Sequence, residues 1–217
     1  MRLRRIPVAK EAVKSHPLAL QEQEAVALRG AWRGAINYPE LFLEVGMGRS
    51  SFIIGQAAAN PDTGYIGMEF REEMVYLTTK LLETPEAKEV GGTANNLRFI
   101  WGNAMHLSQI FADGELDRIY LNFSDPWSKV RHEKRRLTHE SFLAAYHNIL
   151  KSGGRLLFRT DNRDFFEWSL ISFEQSNFEL VNKHYNSPLP ADNIISGYEK
   201  RYRDLGQPIY SAEYKKL

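Results

Sequence analysis

The run LFLEVGMGRSSFIIGQAAA, residues 41–59, decides the fold. Leu41 to Val45 is apolar and of strand length, Gly46 and Gly48 interrupt it, and Arg49 to Ala59 continues at helical length. A short apolar run bounded by glycines and followed by a helical stretch reads as a buried strand turning into a helix. The same unit recurs downstream. Tyr65–Phe70 reads as a second strand with a helix over Glu72–Glu83, and Leu97–Trp101 as a third with a short helix over Met105–Phe111. Leu116–Leu121 precedes an amphipathic helix over Thr138–Leu150, and Gly154–Arg159 one over Arg163–Gln175. Phe178–Lys183 and Pro208–Tyr214 read as late strands separated by a loop from Tyr185 to Gly206. Five alternations predict an α/β single domain around a mostly parallel, doubly wound, seven-stranded sheet with an antiparallel late strand.

The flanking segments are less regular. Residues 1–40 are expected to form a basic arm and a helix, and residues 41–217 the domain itself. The arm carries Arg2, Arg4, Arg5, Lys10 and Lys14 with two prolines, and Leu18–Trp32 is helical in pattern. Thr84–Asn96, with Pro85 and Gly91-Gly92, reads as a polar linker. At 217 residues, 43% hydrophobic and 25% charged, the composition is that of one globular domain. The net charge is only +1, so any surface for a polyanion must be a local patch. No cysteine is present, which excludes disulfides, thiolate nucleophiles and Cys-ligated metals. The six histidines have no ligand spacing, and no metal is expected. No apolar run reaches membrane-spanning length, so a cytoplasmic location and no membrane partner are expected.

Three features recur at successive strand ends. Glu44 stands two residues before Gly46, and Gly48 completes acid-x-Gly-x-Gly. A dinucleotide fingerprint needs a third glycine where Ser51 stands, which counts against NAD. The acid instead suits a ligand with positive groups, as in the binding of S-adenosylmethionine (SAM) by class I methyltransferases. Glu69 ends the second strand and is placed to accept from two ribose hydroxyls. Asn103, in WGNAM, is placed at the adenine edge.

The fourth strand runs into LNFSDPWSKVRHEKRRL, residues 121–137. Ser-Asp-Pro after a strand marks a loop, and in α/β sheets that end of the strand is where ligands bind. Lys129, Arg131, Lys134, Arg135 and Arg136 place five cations within eight residues, with His132 among them. Such a cluster grips phosphates. Trp127 reads either as a stacking platform or as a core plug.

With EVGMG, GMEF, GNAM, NFSDPWSKVRHEKRRL and RTDN in this order, the chain resembles the tRNA (guanine-N7)-methyltransferase family, bacterial TrmB type. The resemblance covers nearly everything from Leu41 onward. It implies a Rossmann-like class I methyltransferase that moves a methyl from SAM to N7 of a guanine in the tRNA variable loop, position 46, leaving S-adenosylhomocysteine. It places SAM at Glu44, Gly46, Gly48, Glu69, Asn103 and Asp125, and gives Asp125 the catalytic role. Lys129, Asp161, Ser196, Gly197, Tyr198 and Glu199 match substrate-contacting positions. The block Arg131, His132, Glu133, Lys134, Arg135 and Arg136 matches the RNA-contacting one. The chain has Asn103 where many members have Asp, Ser128 for Pro, Ser196 for Thr and Gly197 for Glu. A monomer or weak homodimer is expected.

Neutral guanine has no proton on N7, which presents an in-plane lone pair. Methyl transfer to it needs alignment and charge stabilisation rather than a general base. Asp125 and Asp161 could supply both by accepting from guanine N1–H and the exocyclic amine; Asp161 reads equally as a helix N-cap. Two other readings stand beside this one: methylation of an exocyclic amine, whose sites favour Asp/Asn-Pro-Pro-aromatic, and a non-catalytic RNA-binding protein on the same fold.

Overall fold

A computed structural model describes residues 5–84 and 94–217. Arg2, Arg4, Pro85, Gly91 and Gly92 lie outside the described residues. One eight-stranded sheet forms the centre, in the order β1-β4-β3-β2-β5-β6-β8-β7. Its strands are β1 (Ala19–Gln21), β2 (Leu41–Val45), β3 (Gly64–Glu69), β4 (Leu97–Trp101), β5 (Leu116–Asn122), β6 (Leu150–Thr160), β7 (Phe178–His184) and β8 (Tyr210–Lys216). Every pairing from β1 to β6 is parallel; β8 runs antiparallel to both β6 and β7.

The helices are α1 (Ala9–Ser15), α2 (Glu22–Ala27), α3 (Trp32–Ile36), α4 (Ser51–Ala59), α5 (Glu72–Leu81), α6 (Leu107–Ile110), α7 (Glu140–Ile149), α8 (Arg163–Glu174) and α9 (Gly197–Asp204). Strands β2 and β3 are buried at every residue, which is why they read as largely apolar runs broken only by Glu44 and Glu69. One sheet face packs Leu43, Ile119 and Phe158 with Trp32, Tyr146 and Phe166, and the other packs Phe42, Tyr65 and Phe99 with Ile53 and Val75. Tyr214 of β8 stacks on Phe173 of α8 with ring centroids 3.8 Å apart.

Two expectations need correction. Leu18–Trp32 is not one helix: Ala19–Gln21 adds the eighth strand, in register with Phe99–Trp101, before α2 begins. Gln21 and Glu24 form a capping box there, and this local turn ends the strand after three residues. The stretch from Tyr185 to Gly206 is not all loop, because it contains α9. The strand order reverses between β2 and β5, so the crevice expected of a doubly wound sheet opens at their carboxyl ends.

Candidate active site

Glu44 lies in β2 beside that reversal and is 2% exposed. Its Oε2 accepts from the Ser50 hydroxyl at 2.6 Å, and its Oε1 from the Asn122 side-chain amide, across in β5, at 3.0 Å. Ser50 also caps α4 by accepting from the Ile53 amide. Burial pushes the Glu44 carboxyl up to about 7; the two donors pull it back, and Glu69 adds a smaller push upward.

Gly46 and Gly48 stand at φ +70° and +57°, where a side chain would strain the backbone. The amides of Gly46 and Met47 both donate to the carbonyl of Met68, folding the turn against β3. A Cβ on Gly48 would meet open space. Its amide donates at 3.0 Å to Oε2 of Glu69, whose Oε1 accepts from the amides of Phe70 and Arg71. Burial raises the Glu69 carboxyl too, against those three donors. Asn103 is exposed, and its Oδ1 caps the 3-10 turn Ala104–His106 through the amide of Met105. The backbone amide of Asn103 donates to Glu22, which also binds His106 Nδ1 at 2.8 Å. Phe70 and Met105 leave β3 and β4 with apolar side chains 63% and 74% exposed.

The loop after β5 is shaped by two non-glycine residues in the left-handed region, Phe123 at φ +52° and Trp127 at +43°. Such residues are uncommon and cluster at functional sites. The Phe123 amide donates to the carbonyl of Arg159 in β6, and its ring stacks on Tyr202 of α9. Asp125 is exposed and makes no hydrogen bond or ion pair among the described residues. Asp161 follows β6. The N-cap of α8 is its neighbour Asn162, which accepts from the Phe165 amide at 2.8 Å. Asp161 instead faces Tyr202, whose phenol is pushed up by burial first and then by the Asp161 carboxylate it bonds.

The cation block divides in two. Lys129, Arg131, Lys134 and Arg135 are exposed around the 3-10 helix Val130–Arg135. Arg136, expected to contact RNA, is only 7% exposed. It donates to the carbonyls of Pro126 and Trp127 and to Glu133, and lies 4.4 Å over the Trp168 ring. Arg136 and Glu133 therefore hold the loop from within. Trp127 is half-buried, with Arg135 over its ring and His132 edge-on. It is neither a core plug nor a bare platform. Behind it, Pro126, Arg136, Asn162 and Trp168 line a small open hollow.

In α9, Ser196 is the N-cap and accepts from the Glu199 amide; Gly197 has open space around it and Tyr198 is 53% exposed. Glu199, expected to contact substrate, is turned inward at 2% exposed. It accepts from Arg159 at 2.7 Å and from Arg203 at 2.7 and 3.0 Å. Asn122, Glu22 and Arg159 were not anticipated as parts of the site. Asn122 had a signal, as the single amide ending an apolar strand; the other two are defined only by the partners that folding brings to them.

A mostly parallel sheet, a glycine turn at its strand reversal and carboxylates at neighbouring strand ends define a class I methyltransferase. The comparisons agree. The family profile described as "Putative methyltransferase" matches residues 39–212. The tRNA (guanine-N(7)-)-methyltransferase of Exiguobacterium sp. (strain ATCC BAA-1283 / AT1b) is 43% identical over 98% of this chain and 97% of its own. That of Streptococcus sanguinis (strain SK36) is 39% identical over 98% of each. A solved aminoglycoside resistance methyltransferase, NpmB1, superposes with a TM-score of 0.61 at 17% identity, over 87% of this chain and 93% of its own. The chain belongs to the tRNA (guanine-N7)-methyltransferase family. Among the described residues no helix is long and apolar enough to cross a membrane.

Proposed function

We propose that this protein transfers a methyl group from SAM to N7 of a guanine in the variable loop of tRNA, position 46. The observation that carries this reading is near-full-length similarity to guanine-N7 enzymes, combined with Asp125 standing unpaired among the described residues in the strained loop that follows β5, the strand paired with β2. The residues present fit SAM. Glu44 and Glu69 are acceptors for its cationic and hydroxyl groups, Gly48 leaves room for a close backbone approach, and Phe70 and Met105 offer apolar surface beside Asn103. When bound, SAM supplies an activated methyl group on a sulfonium.

The chain's part is alignment and charge. Asp125 and Asp161 accept from the guanine edge and offset the positive charge arriving on the purine. Lys129, Ser196, Gly197 and Tyr198 contact the substrate in this reading, and the exposed Arg131, Lys134 and Arg135 bind phosphates flanking the base. No proton need leave N7, so Asp125 orients and stabilises rather than deprotonates.

The test is methyl transfer from labelled SAM to unmodified tRNA, with nucleoside mapping. The expected product is 7-methylguanosine, with Asp125→Ala slower by roughly a hundredfold to a thousandfold while still binding SAM. A methyl found on an exocyclic amine would overturn the reading.

A further inference from the structure

Glu44 is almost fully enclosed, and just two side chains hydrogen-bond it among the described residues. Ser50 approaches from the start of α4, and Asn122 from the neighbouring strand β5. Glu69 from β3 and Tyr120 from β5 are the other ionisable groups acting on it. A buried carboxylate holds its charge only with donors on both oxygens. Asn122 is 9% exposed and gives its amide hydrogen to Oε1 at 3.0 Å, so one oxygen faces each element.

The backbone after Asn122 adds a second observation. Phe123 turns into the left-handed region with its amide on Arg159, and Asp125 follows two residues later on the same loop. Asn122, the last residue of β5, therefore both bonds the Glu44 end of β2 and stands at the root of the loop bearing Asp125.

The geometry points to Asn122 as a positioning residue: its side-chain amide orients Glu44, favours the anionic form that receives the cationic cofactor, and links it to the loop bearing Asp125. This inference rests on the reading of Glu44 as a SAM ligand. Removing the amide leaves Glu44 with Ser50 as its one donor among the described residues, so the carboxyl favours its proton and binds a cation poorly until the pH is raised.

Calorimetric titration of SAM into the full-length protein across neutral pH, for wild type, Asn122→Ala and Asn122→Ser, tests this. Wild-type affinity should rise with pH and level off above about 7, where the free Glu44 carboxyl ionises. Asn122→Ala should bind SAM roughly tenfold to a hundredfold more weakly at neutral pH, the worth of a hydrogen bond to a charge. Its bend should move to higher pH, with Asn122→Ser in between. The ligand's own titration is common to all three proteins and cancels. A merely structural role would weaken binding equally at every pH; a bend left in place therefore overturns the proposal. Should Asn122→Ala not fold, Asn122→Ser carries the test against wild type. A bend displaced to higher pH in Asn122→Ser supports the proposal, and one at the wild-type position overturns it. A wild type that binds no SAM at any pH removes the cofactor reading, and this inference with it.

Discussion

Glu44 is held in a place that costs the free protein stability. Burial raises its carboxyl from 4.5 to about 7. Below 4.5 the group is protonated in both folded and unfolded chains. Between 4.5 and 7 just the unfolded chain ionises, so this residue's contribution to stability is lost as pH rises, reaching about 3 kcal/mol above pH 7. Glu44→Gln should therefore gain stability over wild type between pH 5 and pH 8 by a similar amount, roughly 3 kcal/mol, while losing SAM binding. Urea unfolding of both proteins at the two pH values checks this; parallel changes would refute it. The acid was legible in the sequence because acid-x-Gly-x-Gly needs no tertiary knowledge. Its raised proton affinity was not, since that comes from the burial other elements impose, against which the hydrogen bonds from Ser50 and Asn122 only pull back.

The basic loop and α9 show how far an element can be read from its letters. The loop reads as one cation block, yet Arg136 differs from Lys134 in facing Trp168 rather than solvent. Nothing local separates them; the difference is made by carbonyls of Pro126 and Trp127 that the loop itself turns inward. Lys134→Ala should lower the slope of log affinity for tRNA against log salt by about one, with stability unchanged. Arg136→Ala should leave that slope alone and lower the melting temperature. Filter binding over a salt series with calorimetric melting separates the two, and a steep slope change in Arg136→Ala would place it back among the RNA contacts. Helix α9, GYEKRYRD, has no apolar stripe to betray it. It is fastened instead by Glu199 to Arg159 of β6, and by Arg203 of the same helix, which bonds Glu199 and the carbonyls of Ser187 and Pro188. Glu199→Ala leaves two guanidinium groups without their buried counter-charge, and should cost about 3–5 kcal/mol of stability. Denaturant titration measures it, and a loss below 1 kcal/mol would contradict the buried hub.

At the scale of the molecule, the alternation of strand and helix was legible because β2 and β3 are enclosed on both faces and are almost wholly apolar, with Glu44 and Glu69 the exceptions. Strand β1 was not, since three residues are too few to show a period, and its pairing with β4 is long-range. That pairing covers the β4 edge and brings Glu22 to the Asn103 turn. A variant lacking residues 1–21 should expose the edge and self-associate. Light scattering checks this, and a monodisperse variant with unchanged melting would show that β1 is dispensable.

Strand β8 lies between β6 and β7, which precede it in the chain and meet only through it. During synthesis β7 emerges from the ribosome with no strand to pair with, and it stays unpaired until Tyr210–Lys216 has followed and slid into the gap. This half of the sheet cannot be laid down in order of translation. Its amides should gain exchange protection together, β7 no earlier than β8, in the closing step of folding.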